Sequence, residues 1–260
     1  MGSVVVRLED QPAGPTPIEA GAAAAAGVTT RRVLAGPDRP LWLWLHVLEP
    51  GASLAWDRPK QDHLVYVWAG RLASRDLTLL PDEAYVVEHG GRGEVRAVEP
   101  SVVLHFHRPE DHASPAGRTG GRAHLLAGCA VRRGTDPRTR IGISLFADAS
   151  CPGCQVWLHG NAYPPGYKVE AHLHSEDEII VVTGGALQLG KLAYGRGSVL
   201  AVDAETRYGF TAGAEGLAFI NFRAAPPTFS RAGSDRGMRD ERSMVLNALA
   251  HARPAVAFPA

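Results

Sequence analysis

Cysteine, long apolar runs and a surplus of either charge are scarce or missing in this sequence. Its three cysteines are an odd number and make no disulfide framework, so we expect a reducing, cytoplasmic setting. The apolar run WLWLHVL (residues 42–48) is too short to span a bilayer and carries a histidine. The N-terminal residues MGSVVVRLED have no basic segment followed by an apolar one, so no secretory signal is expected.

The charge balance excludes the partners that bind by electrostatics. The 27 basic and 27 acidic residues are interspersed along the chain. The sequence therefore gives no basis for binding nucleic acid or an anionic membrane surface. We expect a small-molecule substrate as the partner and allow for a homodimer.

The length predicts two small domains or one large one, because 260 residues exceed the usual size of a single domain. Residues 109–123 (PEDHASPAGRTGGRA) are rich in glycine, proline, serine and charge, which is typical of a linker. We expect a lead-in with a short helix at residues 1–30 and a first domain, a degenerate barrel, at residues 31–108. The linker at 109–123 leads to a second, metal-binding domain at 124–226, and a loop and helix follow at 227–260.

Two helices are predicted outside these domains. Residues 16–19 (TPIE) have the pattern of a capping box with proline at the first helical position. The alanines at 22–26 would continue that helix to Gly27, although a low-complexity tail is the alternative. Residues 237–252 have the apolar spacing of an amphipathic helix.

The stretch Gly166–Gly185 (GYKVEAHLHSEDEIIVVTGG) carries the strongest candidate ligands. His172 and His174 stand two residues apart on a predicted strand, so their side chains project from one face. Glu178 has the same parity, and the break at residues 175–177 can turn it toward them. Two imidazoles and a carboxylate are a ligand set for a divalent transition metal. The alternative is a polar strand face whose histidines contact only solvent.

The spacing of this stretch resembles the first conserved motif of the cupin superfamily: glycine, five residues, His-x-His, three residues, glutamate, six residues, glycine. The resemblance implies a small antiparallel jelly-roll barrel. A metal would be held inside it by His172, His174 and Glu178 and by one residue of a second motif.

Residues 197–221 (GSVLAVDAETRYGFTAGAEGLAFIN) resemble that second motif but depart from it at three positions. Asp203 stands where proline is usual, and Glu205 stands where glycine is usual. Tyr208 stands where the family has a histidine as the fourth metal ligand. Tyr208 could ligate the metal as a phenolate, but the reference pKa of a phenol is near 10, so the metal would have to drive its deprotonation. We favour a Tyr208 that is unligated or weakly ligated, stays protonated, and donates a hydrogen bond or a proton to bound substrate.

The chain also repeats itself at a distance of 115 residues. Trp42 superposes on Trp157, Gly51 on Gly166 and Gly70 on Gly185 without a gap. Two copies indicate a pair of barrels and not a solenoid. The predicted fold is therefore all-β, with two tandem cupin jelly-roll barrels and a few short flanking helices.

The first copy lacks the His-x-His pair of the second. Asp57 stands in place of His172, proline 59 in place of His174, and His63 in place of Glu178. We expect this copy to be structural. The alternative is a degenerate site of Asp57, His63 and His105. In that site either His105 or His107 would point at His63.

Cys151 and Cys154 form a CPGC sequence just before an apolar run. A redox pair and half of a zinc site are both possible for such spacing. Pro-Gly favours a turn, so we expect a hairpin turn flanked by two cysteines. Trp157 and His159 follow on one strand face, and we leave His159 out of the metal set.

The function that these features favour is that of a metal-dependent enzyme. Without a fourth histidine, the remaining ligands leave positions open for O2 and substrate, so we expect one divalent metal, with Fe(II) favoured and Zn, Mn or Ni as alternatives. The leading hypothesis is an oxygenase that acts on a small metabolite, for which an aromatic compound is one candidate. Tyr208 would be its catalytic residue. The alternatives are a non-oxidative isomerase, decarboxylase or cyclase and a non-catalytic binding barrel. The candidate substrate-binding residues are Trp157, Gln188, Arg207 and Asn221.

Overall fold

Strands dominate the chain because alternating and continuous apolar runs, rich in β-branched and aromatic residues, recur along it. The computed structural model describes residues 3–75, 77–112, 120–126, 132–154, 156–231 and 237–252. The strands of the first half are β1 (Val4–Arg7), β2 (Ala13–Gly14), β3 (Ala23–Ala24), β4 (Val28–Leu34), β5 (Trp42–Leu48), β6 (Ser53–Asp57), β7 (His63–Ala69), β8 (Leu72–Ser74), β9 (Leu77–Leu79), β10 (Ala84–Val87), β11 (Arg92–Ala97), β12 (Ser101–His107) and β13 (Ala123–Leu126).

The second half continues the same pattern and ends in the one α-helix of the described residues. Its elements are β14 (Arg132–Thr135), β15 (Gly142–Asp148), β16 (Trp157–Tyr163), β17 (Lys168–Leu173), β18 (Glu178–Leu189), β19 (Leu192–Gly195), β20 (Ser198–Val202), β21 (Tyr208–Arg223), β22 (Thr228–Arg231), β23 (Arg239–Asp240) and α1 (Glu241–Ala250). In the described part of the chain no helix is long and apolar enough to cross a membrane.

The strands divide between two units. The N-terminal unit comprises Asp10–Ala130 with Ser150–Val156, and the C-terminal unit comprises Met1–Glu9, Val131–Ala149 and Trp157–Ala260. The N-terminal unit holds two antiparallel sheets, in the orders β13-β10-β7-β12-β5-β4-β2 and β3-β6-β11-β8-β9. Its core is a cluster of aliphatic side chains around Trp56 and Tyr85.

The C-terminal unit is built on one antiparallel path, β1-β20-β18-β21-β16-β15-β14, with β17, β19, β22 and β23 paired beside it. Its long strand β21 pairs with β16, β17 and β18, and β17 also pairs with β22. Through these pairings β16, β17, β18 and β21 surround one interior. The apolar part of that interior is a cluster that includes Val182, Leu200 and Phe219.

The 115-residue repeat is visible in the strand positions. Strands β5, β6 and β7 begin 115 residues before β16, β17 and β18. Glycines with positive φ also occupy equivalent positions in the two copies. Gly51 and Gly166 precede the second strand of the repeat. Gly70 and Gly185 lie at the bend that ends the apolar run of the third strand.

The predicted N-terminal helix is wrong. Residues 18–20 form only a short 3-10 turn, which ends at Gly21 with φ of 67°. The alanines that follow enter β3, where Ala23 and Ala24 pair with Ala55 and Leu54 of β6. Pairing with a strand edge outweighs the helix propensity of alanine here, since propensity is worth only tenths of a kcal/mol per residue.

The predicted C-terminal helix is present but shorter. It begins after Asp240, whose side chain accepts a hydrogen bond from the Arg242 amide and so caps the helix. None of its side chains is buried, so the apolar stripe expected over residues 237–252 has no buried face. Residues 113–119, within the predicted linker, lie outside the described residues.

Candidate metal centre

His172 and His174 enter the interior of the C-terminal unit from the end of β17. Both are almost fully buried. The Nδ1 atom of His172 lies 2.8 Å from the Glu170 carbonyl oxygen, and that of His174 lies 2.5 Å from the Thr228 carbonyl oxygen. A carbonyl only accepts, so each Nδ1 carries the proton and donates. Each Nε2 therefore keeps its lone pair, which is the tautomer of a metal-ligating histidine.

Glu178 opens β18 and is buried beside them. Its Oε2 accepts from Asn221 Nδ2 at 2.5 Å and from Arg223 Nη2 at 3.0 Å. Its Oε1 is buried and makes no well-formed hydrogen bond. Burial alone would raise the pKa of Glu178, but the Arg223 charge, His174 and the polar contacts of Tyr208 and Asn221 outweigh it and lower that pKa to about 2. The carboxylate is thus ionised, with one oxygen unengaged.

Arg223 is the dominant charge of this centre. It lies at the end of β21, is 1% exposed, and forms ion pairs with Glu178 and with Glu241 at 2.5 Å. Its Nη2 also lies 3.3 Å from His174 Nε2. The pKa of Arg223 is raised because the attraction of Glu241 and Glu178 exceeds the desolvation that would lower it. A guanidinium thus occupies part of the space between His174 and Glu178.

Arg223 therefore lies beside two of the three predicted ligands, His174 and Glu178. His174 Nε2 and Glu178 Oε2 are 3.9 Å apart. His172, His174 and Glu178 do not form a set of three ligand atoms mutually within 4.8 Å in the described part of the chain. A metal bound by all three would need Arg223 to withdraw from His174 Nε2. The donor types, two imidazole nitrogens and one carboxylate oxygen, fit a divalent transition metal, although Arg223 covers one of those nitrogens, His174 Nε2.

Tyr208 stands at the start of β21, next to the histidines. Its ring centroid lies 4.5 Å from that of His172. Burial and the nearby Glu178 carboxylate raise the pKa of Tyr208 well above its ordinary value. The side chain is therefore a neutral phenol at pH 7, able to donate a proton or a hydrogen bond.

The four candidate substrate-binding residues separate into two pairs. Trp157 and Asn221 are buried on the face that also carries Glu178 and Arg223, since Trp157 pairs with Arg223 across the strands. Gln188 and Arg207 are exposed, and Gln188 adjoins the core residue Leu187, so the structure does not bring this pair to the centre.

His159 lies on the same face but is fully engaged. Its Nδ1 accepts from Trp157 Nε1 at 2.7 Å, and Asn161 contacts its Nε2 at 3.2 Å. Burial lowers the pKa of His159 to about 4. The imidazole is neutral and supports Trp157.

Two residues of the centre were missed by the sequence analysis. Arg223 had a detectable signal, because it follows Asn221 by two residues on one strand and so shares its face. Glu241 had none. It is the first residue of α1, and only the fold brings its carboxylate to Arg223 and to 3.5 Å from His174 Nδ1.

The N-terminal unit contains a different group of histidines. His63, His105 and His107 are each fully buried, and their ligand atoms lie within 4.8 Å of one another, so this group could hold a metal ion. Asp57 does not belong to it. Its side chain is 75% exposed and pairs with Arg92 at 2.7 Å. The degenerate set predicted from Asp57, His63 and His105 is wrong in its first member, because β6 ends with Asp57 pointing to solvent.

The comparison with solved structures identifies the architecture. No protein-family model matches the chain, and no curated protein matches it in sequence. An oxalate decarboxylase from Lactobacillus farciminis, in complex with formate, matches with a TM-score of 0.66 at 12% identity, over 88% of each chain. A proposed dioxygenase from Nostoc punctiforme matches with a TM-score of 0.64 at 12% identity, over 92% of this chain and 86% of that one. A Cupin 2 conserved barrel domain protein from Leptotrichia buccalis matches with 0.52 at 12% identity, over 76% and 89%.

The chain has the tandem cupin fold. The predicted all-β architecture with two cupin barrels is thereby confirmed. Within this fold Tyr208 pairs directly with His172 across β21 and β17. A phenol thus faces the histidines at the position where the resemblance places a fourth histidine.

The CPGC sequence lies in the loop between β15 and β16, as the turn prediction expects. Cys151 and Cys154 are free thiols, and Cys129 lies outside the described residues. Their sulfurs and the Glu88 carboxylate lie within 4.8 Å of one another. Arg122 already pairs with Glu88 at 2.8 Å and donates to Cys151 Sγ at 3.0 Å. Its positive charge disfavours a cation at this cupin loop.

Proposed function

We propose that the C-terminal barrel is the active site of a metal-dependent enzyme, an oxygenase that acts on a small cytoplasmic metabolite. One observation carries this proposal. Two imidazole Nε2 atoms and one carboxylate oxygen, from His172, His174 and Glu178, are buried together while their opposite atoms are fixed by hydrogen bonds. Donors whose orientation is fixed in this way are what a metal centre requires, and Arg223 would move away from His174 Nε2 on metal binding.

A divalent metal held there, with Fe(II) favoured over Zn, Mn or Ni, would supply Lewis acidity and open coordination positions. The likeness to a proposed dioxygenase from Nostoc punctiforme supports an oxygenase within this class. Because fold does not determine activity, the argument for this chain rests on its own side chains.

The side chains around the donors have separable roles. Asn221 and Arg223 hold Glu178 Oε2, which leaves Oε1 as the single free oxygen. Trp157 forms a buried aromatic wall on the same face and suits a planar substrate. Tyr208 keeps its proton and can hand it to bound substrate, since Glu178 and burial oppose its ionisation.

The protonated Tyr208 also favours a second candidate within the enzyme class. A neutral phenol at the metal site suits a non-oxidative reaction in which a carbanion or enolate must be protonated, such as decarboxylation or isomerisation. The likeness to an oxalate decarboxylase agrees with this reaction type. O2 consumption distinguishes the two candidates.

The test is to load the full chain anaerobically with Fe(II) and to measure O2 uptake across a panel of small aromatic and carboxylic metabolites. We expect uptake with a subset of the panel. Tyr208→Phe should bind the same amount of iron and lose at least about 10² in rate, the range for a general acid. Gln188→Ala, on an exposed strand position, is the matched control and should keep the rate. Tightly held zinc without uptake, or loss of iron in Tyr208→Phe, would contradict the proposal.

A further inference from the structure

Three imidazoles meet in the interior of the N-terminal barrel, outside the site proposed above. His63 opens β7, and His105 and His107 stand two apart at the end of β12, so they share one face. All three are 0% exposed, and their ring centroids are 4.5–5.0 Å apart. Buried imidazoles require partners for their ring nitrogens, and a metal ion is one such partner for three rings that converge.

Each ring is oriented by a partner on its outer side. His63 Nε2 lies 2.6 Å from Glu110 Oε1, and a carboxylate there requires that nitrogen to donate. His107 Nδ1 lies 2.5 Å from the Arg108 carbonyl oxygen and donates to it. Their opposite nitrogens, His63 Nδ1 and His107 Nε2, are therefore acceptors. His63 Nδ1 lies 2.8 Å from His105 Nε2, and His107 Nε2 accepts from Trp44 Nε1 at 2.9 Å.

His105 closes the group from the third side. Its Nε2 lies 2.8 Å from His63 Nδ1, and its Nδ1 lies 3.1 Å from His46 Nε2. His46 in turn contacts the Thr30 hydroxyl at 2.8 Å. When His105 carries its proton on Nδ1, that N–H donates a hydrogen bond to His46 Nε2. His46 then carries its own proton on Nδ1 and donates a hydrogen bond to the Thr30 hydroxyl. The His105 Nε2 lone pair then joins the other two without any net loss of protons.

We propose that this group binds one divalent transition metal through His63 Nδ1, His105 Nε2 and His107 Nε2. Three neutral imidazoles select ions of the Zn2+, Co2+, Ni2+ and Cu2+ class over Ca2+ and Mg2+, which require oxygen ligands. Glu110 and His46 then complete the outer shell, as carboxylates and carbonyls do around metal-bound histidines. Trp44 Nε1, which donates to His107 Nε2 at 2.9 Å, would give up that contact.

The position of the group in the repeat supports a separate role for it. His63 is the counterpart of Glu178, 115 residues apart. By strand register His105 corresponds to Asn221 and His107 to Arg223. In the C-terminal barrel these positions carry an acid, an amide and a guanidinium, and the amide and the guanidinium both donate to Glu178 Oε2. In the N-terminal barrel the same three positions carry only imidazoles.

The state of the histidines agrees with ligation. Burial lowers the pKa of His105 and of His107 well below the ordinary value, and the neighbouring histidines lower both further. Gly21 packs over the edge of His63, where an added Cβ would come within 2.6 Å of the ring, and it helps to close the group from solvent.

The test uses the full chain with His172→Ala and His174→Ala, which removes the C-terminal ligands and makes the outcome independent of the proposed function. Equilibrium dialysis against Co2+, read by elemental analysis and by the d–d absorption of the ion, should give one equivalent per chain. Adding His105→Gln should abolish that equivalent.

A second variant guards against a failure to fold. Glu110→Gln alters a partly exposed outer partner and should weaken Co2+ binding about 10–100-fold, while Asp57→Asn, at an exposed position, should leave it unchanged. A folded double-alanine chain that binds no Co2+ would overturn the proposal, as would equal affinity in the Glu110→Gln and Asp57→Asn variants.

Discussion

At the scale of single residues, Arg223 organises the C-terminal centre. It is a buried cation between the buried carboxylate of Glu178 and the carboxylate of Glu241, which is 12% exposed, and it also contacts His174. Removing one partner of such a pair leaves the other charges uncompensated in a medium that solvates them poorly. The same residue fixes Glu178 Oε2, so its charge serves both the stability of the barrel and the orientation of a candidate ligand.

Arg223→Met should therefore lower the free energy of unfolding by about 3–5 kcal/mol in metal-free protein, because the buried Glu178 carboxylate and the nearby Glu241 carboxylate lose their counter-charge. Urea unfolding followed by circular dichroism measures this. Arg207→Met changes an exposed arginine just before the start of β21. It is the control and should change stability by less than about 0.5 kcal/mol. Similar values for the two variants would show that the Arg223 network contributes little.

At the scale of elements, the strand bends of the repeat depend on glycine to different degrees. Gly51 and Gly70 both have positive φ, at 85° and 82°. A Cβ added at Gly51 would meet nothing within 4 Å, whereas one at Gly70 would lie 2.4 Å from the Pro100 carbonyl oxygen. A residue other than glycine is strained at both positions. Only at Gly70 does it also collide with neighbouring backbone.

Gly51→Ala should cost about 1–2 kcal/mol of unfolding free energy, the penalty of a left-handed conformation. Gly70→Ala should cost roughly 3 kcal/mol or more, since overpacking against backbone adds about 1–3 kcal/mol. Parallel urea titrations of the two variants measure the difference. Equal losses would mean that the β7–β8 bend moves freely away from Pro100.

The elements also show which parts of the site can be predicted from sequence. The constant 115-residue spacing gives β5, β6 and β7 and their counterparts, because no residue is inserted between them. At β12 the register shifts by one, so His105 corresponds to Asn221 and not to residue 220. An ungapped repeat therefore places His107 opposite an apolar residue. The sequence predicts position 107 only as an alternative to His105, and it does not predict Arg223 in the site.

At the scale of the whole molecule, the two cupin barrels have diverged at the same interior positions. The resemblance located the fold and the pair His172 and His174 from local spacing alone. It could not supply Glu241 or Glu110, whose carboxylates arrive from outside the repeated strands. Long-range contacts of this kind have no local pattern, so only the folded chain reveals the charge that surrounds each group.

The central claim is that the C-terminal barrel binds a metal through His172, His174 and Glu178. Anomalous diffraction from a crystal of Fe(II)-loaded protein, recorded on both sides of the iron absorption edge, tests it directly. We predict a peak within about 2.0–2.2 Å of the two Nε2 atoms and of Glu178 Oε1, with Arg223 withdrawn from His174. Iron-loaded crystals in which the Arg223 guanidinium still lies against His174 Nε2, with no peak at this centre, would contradict the claim.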